Sequence, residues 1–127
     1  MSFRFDPRRR LVVVRTEIDG PSAAGVFRLA LDTGSSTTLI NVSVLVMLGY
    51  DPAMATKRIE ITTASDLQYA AVLPIRRVKA LGQEKHDLPI LCHTLPPSAG
   101  VDGLLGLDFL RDRVLTVNFR EGRIELT

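Results

Sequence analysis

The sequence predicts an all-β fold with one or two short helices, a closed or sandwiched sheet in a single domain spanning residues 1–127. Three observations carry this. Short extended runs recur along the chain, each bounded by Gly, Pro, Asp or Asn. The apolar 46% of the residues is mainly Val, Leu, Ile and Ala, because aromatics are only 6% and Trp is absent, and β-branched side chains favour strands. A chain of 127 residues also has room for one hydrophobic core.

In order, Leu11 to Ile18 reads as a strand, nearly continuous at first and alternating later. Asp19-Gly20-Pro21 turns the chain. Val26 to Asp32 is a second strand with Phe27, Leu29 and Leu31 on one face, so the two make a hairpin that ends at Asp32. Thr37 to Ile40 is short and β-branched, and Asn41 offers a side-chain oxygen to cap a helix from Val42 to Leu48, stopped by Gly49. Lys57 to Thr63 and Leu67 to Leu73 form a second hairpin around Ala64-Ser65-Asp66. Ile75 to Leu81 and Leu88 to His93 are further strands, separated by Gly82-Gln83-Glu84-Lys85. Thr94 to Gly100, with two prolines, is a loop. Asp102 is placed to cap a short helix through Gly103 to Leu110, and Val114 to Phe119 with Arg123 to Leu126 closes the chain as a hairpin.

Composition bounds the partners. Charged residues are 24% and the net charge is +2, which gives no strong reason to expect nucleic acid or a membrane surface. Arg8-Arg9-Arg10 lacks interleaved aromatics and reads as the solvated or ion-paired start of a strand; a nucleic-acid-binding barrel is a remote alternative. The single cysteine, Cys92, excludes an intrachain disulfide and fits a reducing compartment. The longest apolar run, Leu39 to Leu48, is interrupted by Asn41 and Ser43 and falls short of the about 20 residues that cross a bilayer. The first residues lack a signal-peptide layout. The expectation is a soluble, cytoplasmic domain.

The chain is organised around Leu29-Ala30-Leu31-Asp32-Thr33-Gly34-Ser35-Ser36-Thr37-Thr38-Leu39-Ile40. One acid stands at the end of an apolar strand, followed by a hydroxyl residue and a glycine. Burial disfavours an ionised carboxylate, so an Asp flanked by Leu29 and Leu31 invites a catalytic explanation. Asp-Thr-Gly-Ser is also ordinary turn chemistry.

This stretch, together with Val101-Asp102-Gly103-Leu104-Leu105-Gly106-Leu107-Asp108-Phe109-Leu110 about seventy residues later, resembles the retropepsin-like, retroviral-type aspartic proteases. The closing Leu115 to Leu126 is similar to the terminal strands of bacterial members. The resemblance implies an acid-protease barrel with one lobe per chain. One Asp-Thr-Gly signature per chain then implies a homodimer, with the active site at its axis and the second acid supplied by Asp32 of the other copy. Two adjacent carboxyls sharing a proton can take a proton from water and protonate the amide, with no metal and no cofactor.

By the same resemblance, Asp32, Thr33 and Gly34 are the catalytic signature. Thr33 braces the pair across the axis, Gly34 admits close approach, and the Ser35 hydroxyl supports the Asp32 carboxylate from beside it. The hairpin from Ile59 to Ala71 matches a flap closing over an extended polypeptide substrate, with Thr63, Ala64 and Ser65 nearest to it. Val101 and Leu104 are candidates for pocket walls or for plain core positions. The alternative function is a catalytically silent dimerisation or protein-binding module on the same fold.

Other reactive residues carry blander readings. Cys92 and His93 are adjacent, so on a strand they point to opposite faces and do not share a proton. With distant His86 they lack metal-ligand spacing. Asp102 is read as a helix cap or surface ion pair and not as an intrachain partner of Asp32. Asp108 and Asp112, beside Arg111 and Arg113, read as a solvated rim.

Overall fold

The computed structural model describes residues 1–62 and 67–127. Its strands are β1 (Ser2–Arg4), β2 (Val13–Asp19), β3 (Ala24–Leu31), β4 (Leu39–Asn41), β5 (Lys57–Thr62), β6 (Leu67–Ala80), β7 (Gln83–His93), β8 (Gly103–Leu105), β9 (Leu115–Asn118) and β10 (Arg123–Leu126). Two short helices, α1 (Val42–Met47) and α2 (Leu107–Leu110), complete it. Strands β2, β3, β8, β4, β7 and β6 pair in that order, and β6 returns to β2 through Glu17 opposite Lys79, Ile18 opposite Val78 and Asp19 opposite Arg77. That last pairing closes a six-stranded barrel, which removes most free edges. Strand β5 hangs outside the ring on β6, and a separate sheet joins β1, β10 and β9.

Alternation decides what points inward. Val14, Thr16 and Ile18 of β2, and Phe27 and Leu29 of β3, are buried, as period two requires. With Ile40, Leu45, Ile75, Val78, Ile90, Leu105 and Phe109 they form an aliphatic core with little aromatic content. Thr16 keeps its buried hydroxyl satisfied by donating to Val14 O at 3.3 Å. Among the described residues no helix is long and apolar enough to cross a membrane.

Several expectations are corrected. Leu67 to Ala80 is one strand running through Pro74, and its partner β7 runs through Pro89, directly opposite. Neither proline breaks the sheet, because β5 pairs only up to Val72, β2 begins at Arg77, and β4 meets β7 only from Leu91. Each proline therefore faces a stretch where no outer strand asks for its missing N–H. Nearby, Tyr50 Oη accepts from the Arg76 amide at 3.0 Å and donates to Asp19 O, sealing that gap, and burial pushes the phenol's pKa up. The β6–β7 link is a two-residue turn, Leu81-Gly82, with φ of 53° and 74°. Both are left-handed, as a type I′ hairpin turn demands, so Gln83 to Lys85 belong to the strand. Strand β1, unanticipated, docks on β10 with Phe3 opposite Ile124. Asn41 occupies the N-cap position of α1 but makes no side-chain cap bond.

The largest correction is at Gly103 to Leu105, which is strand β8 and not helix. A Cβ on Gly103 would stand 2.2 Å from Leu39 O and 3.2 Å from Ile40 Cα. The glycine thus serves a close strand-to-strand approach in the middle of the barrel. Gly103→Ala is expected to cost about 1–3 kcal/mol through overpacking, read as a fall in Tm. Asp102 caps no helix: its Oδ2 accepts from the Arg28 amide at 2.9 Å, and its own amide donates to Arg28 O at 2.8 Å.

Candidate functional site

Asp32 lies one residue beyond the last rung between β3 and β8. Leu31 pairs with Leu105, and the Asp32 amide donates to Leu105 O at 3.0 Å. Because β8 is inserted between β3 and β4, residues 32–38 must bridge two strand spacings, roughly 10 Å. The loop is held at almost every step of that crossing. Gly34 N donates to Asp32 Oδ1 at 2.9 Å and Ser35 N to Asp32 O at 3.2 Å. Leu107 N donates to Ser35 O at 2.8 Å, and Asp108 N to Ser36 O at 3.2 Å. A Cβ on Gly106 would come within 2.8 Å of Ser35 O, so loop and α2 are packed backbone to backbone.

Asp32 is half-buried, while Thr33 and Gly34 are exposed. A Cβ on Gly34 would stand 3.2 Å from Asp32 Oδ1, a tight approach to the acid. The Thr33 side chain has no hydrogen bond to the described residues and borders a surface depression with Leu107, Leu110 and Leu115. Ser35 departs from expectation: its hydroxyl donates to Thr37 O at 2.8 Å, and the group on the Asp32 carboxylate is the Gly34 amide. A hydroxyl this close to a free backbone carbonyl closes the turn locally, so Ser35 stiffens the loop and not the acid.

Below the loop lies a residue that the sequence reading placed on a solvated rim. The Asp108 carboxylate accepts from Thr38 N at 2.9 Å, Thr38 Oγ1 at 2.7 Å and Phe109 N at 2.9 Å. Thr38 is fully buried, and its Oγ1 accepts in turn from Gly106 N at 3.1 Å. Asp108 therefore bolts the far end of the Asp32 loop to the start of α2. Its local signal is an acid in the first turn after Gly106, followed at once by Phe109 and Leu110, which are buried.

Asp102 and Asp32 stand apart. Asp102 is opposite Arg28, and Asp32 lies four residues further along β3, roughly 13 Å at strand rise. Val101 and Leu104 are both half-buried and outside the main core: Val101 precedes β8, and Leu104 pairs with Ala30 on one side and Leu39 on the other. Strands β5 and β6 form the anticipated hairpin, with Thr62 opposite Leu67; Thr63, Ala64 and Ser65 lie outside the described residues.

Cys92 is 5% exposed and burial pushes its thiol pKa up. Since the thiolate is the reactive form, a thiol reagent is expected to leave the native chain unmodified and to label Cys92 stoichiometrically once it is unfolded. Rapid labelling of the native chain would contradict this burial.

Residues 14–109 match the aspartyl protease family. The solved structure of a retropepsin-like aspartic protease from Rickettsia conorii superposes with a TM-score of 0.75, covering 99% of this chain and 88% of that one at 16% sequence identity. No curated protein matches the chain in sequence. At that identity the structural likeness establishes the fold, a retropepsin-like barrel.

Proposed function

The chain belongs to the aspartyl protease family, and from that premise we propose that it is an aspartic endopeptidase, a single domain working as a homodimer in which Asp32 of each copy supplies one of two carboxyls. The observation that carries this reading is the Asp32 loop itself. The loop that carries Asp32 is anchored on both sides of an inserted strand, with the carboxylate on the Gly34 amide and Asp102 held away from it on the Arg28 amide.

Two carboxyls that meet at a symmetry axis cannot both ionise easily, so they share a proton. The ionised one takes a proton from water while the water oxygen bonds to the scissile carbonyl carbon. The protonated one gives its proton to the carbonyl oxygen. Collapse of the resulting gem-diol returns a proton to the amide nitrogen as the C–N bond breaks, leaving the pair ready for another water. Thr33, exposed and without a bond to the described residues of its own chain, is assigned to the brace across the axis. Ser35 stiffens the loop. An extended peptide would add strand-like hydrogen bonds and place alternate side chains against Val101 and Leu104, under a flap whose Thr63, Ala64 and Ser65 would be closest to it.

The test follows hydrolysis of a diverse peptide library across pH and chain concentration. Expected are a bell-shaped pH profile and a specific activity that rises as dimers form. A sample shown to be dimeric by sedimentation that cuts nothing at any pH would overturn the reading and leave a protein-binding module.

A further inference from the structure

In the antiparallel register of β2 and β3, Arg15 stands directly opposite Arg28, and both are exposed. Like charges so placed are destabilising, which calls for an anion. Other cations converge on the same place. One depression of about 500 Å³ is lined by Arg4, Arg9, Arg15 and Arg28, and by one acid, Asp6. A second, about 320 Å³, shares Arg9, Leu11, Val13 and Arg28 with it, adds Arg10, and continues to Gly100 and Val101. Two nearby acids are already engaged. Asp6 accepts from Arg8 N at 2.9 Å and lies 4.0 Å from Arg9 Nε, and Asp102 holds the Arg28 amide. The guanidinium groups of Arg4, Arg10, Arg15 and Arg28 have no ion-pair partner among the described residues.

We propose that this cationic groove docks an acidic, Asp- or Glu-rich segment of the polypeptide substrate. Three features favour a peptide. The groove is concave and interleaves Leu11, Val13 and Val101 with its arginines, which suits an extended chain with alternating acidic and apolar side chains. Its lining aromatic, Phe5, is buried, so bases have no stacking platform. It also leads to Val101, assigned above to the substrate wall. Arg28 precedes Asp32 by four residues on β3, so the acidic segment would sit roughly four extended residues, about 13 Å, from the cut. That the docked segment belongs to a substrate rests on the protease reading; the affinity for acidic peptide does not.

The two are separated by measuring binding on the full-length Asp32→Asn chain, using fluorescence anisotropy of a short labelled peptide of alternating Glu and Val and of its Gln counterpart. The Glu peptide is expected to bind at least about tenfold more tightly. Its binding should weaken as ionic strength rises from about 0.01 to about 0.15 M and the Debye length shrinks from about 30 to about 8 Å. Arg15→Ala with Arg28→Ala should abolish the preference and Arg15→Lys with Arg28→Lys should keep most of it, with Tm unchanged or raised by relief of the repulsion. Equal binding of both peptides, or indifference to the alanine pair, would overturn the proposal. So would tighter, arginine-dependent binding of single-stranded DNA or of phosphatidylserine vesicles. Glu-peptide binding without any cleavage by the wild-type chain would sink the protease reading alone and leave the groove as a dock for acidic polypeptide.

Discussion

An Asp32→Asn chain is expected to lose peptide hydrolysis by at least about 10³-fold, the scale of a positioned acid–base group, while keeping its fold and its dimer. The amide side chain has the shape of the carboxyl and retains an oxygen for the Gly34 amide, 2.9 Å away in the native loop. What it cannot do is accept a proton from water or hold one for the leaving amine. Mixing sharpens the result. Equal parts of wild-type and Asp32→Asn chains, unfolded and refolded together, are expected to show about a quarter of full activity if both acids of a dimer are needed, and about a half if each chain works alone. The second outcome would refute the shared pair even though hydrolysis remained.

Asp108→Ala is expected to destabilise the chain by about 3 kcal/mol, because it strands a buried amide and a buried hydroxyl of Thr38 together. At this chain length that corresponds to a Tm roughly 10 °C lower. The carboxylate is the end of a relay from Gly106 N through Thr38 Oγ1 to Asp108 Oδ1, so its loss also frees the floor beneath Asp32, and hydrolysis should fall at temperatures where the variant is still folded. Asp108→Asn keeps one acceptor oxygen and should lose less. Asp112→Asn, at an exposed left-handed position with φ of 65° that Asn tolerates, should change stability by less than about 0.5 kcal/mol. Equal effects at 108 and 112 would mean that the brace carries no weight.

The contrast between those two aspartates shows what was legible in the chain. The Asp32 turn stands out locally: an apolar strand, an acid, a hydroxyl and a glycine in succession. The barrel's hairpins also announce themselves through period-two runs and turn residues. Asp108 does not, because its partner Thr38 is seventy positions away and its neighbours Arg111, Asp112 and Arg113 look like a wet rim. Strand β8 does not show itself locally, since Asp102 ahead of an apolar run looks like a capped helix; only the 2.2 Å clearance to Leu39 O explains Gly103. Pro74 falls between two apparent runs, Leu67 to Leu73 and Ile75 to Leu81, because the gap between its outer neighbours belongs to topology and not to local sequence. The arginines of the groove come from β1, the following connection, β2 and β3, and only the last of the Arg8-Arg9-Arg10 run plus Arg9 takes part.

The parallel rungs that join Leu29 to Gly103 and Leu31 to Leu105 link parts of the chain separated by seventy-four residues. Contacts of such long range slow folding, since the intervening chain must be gathered before they form. A ribosome releasing this polypeptide would therefore expose its acid early yet leave it without a frame until the segment through Leu110 had emerged. On the protease reading, the acid would stay idle until both strands of its frame had been made.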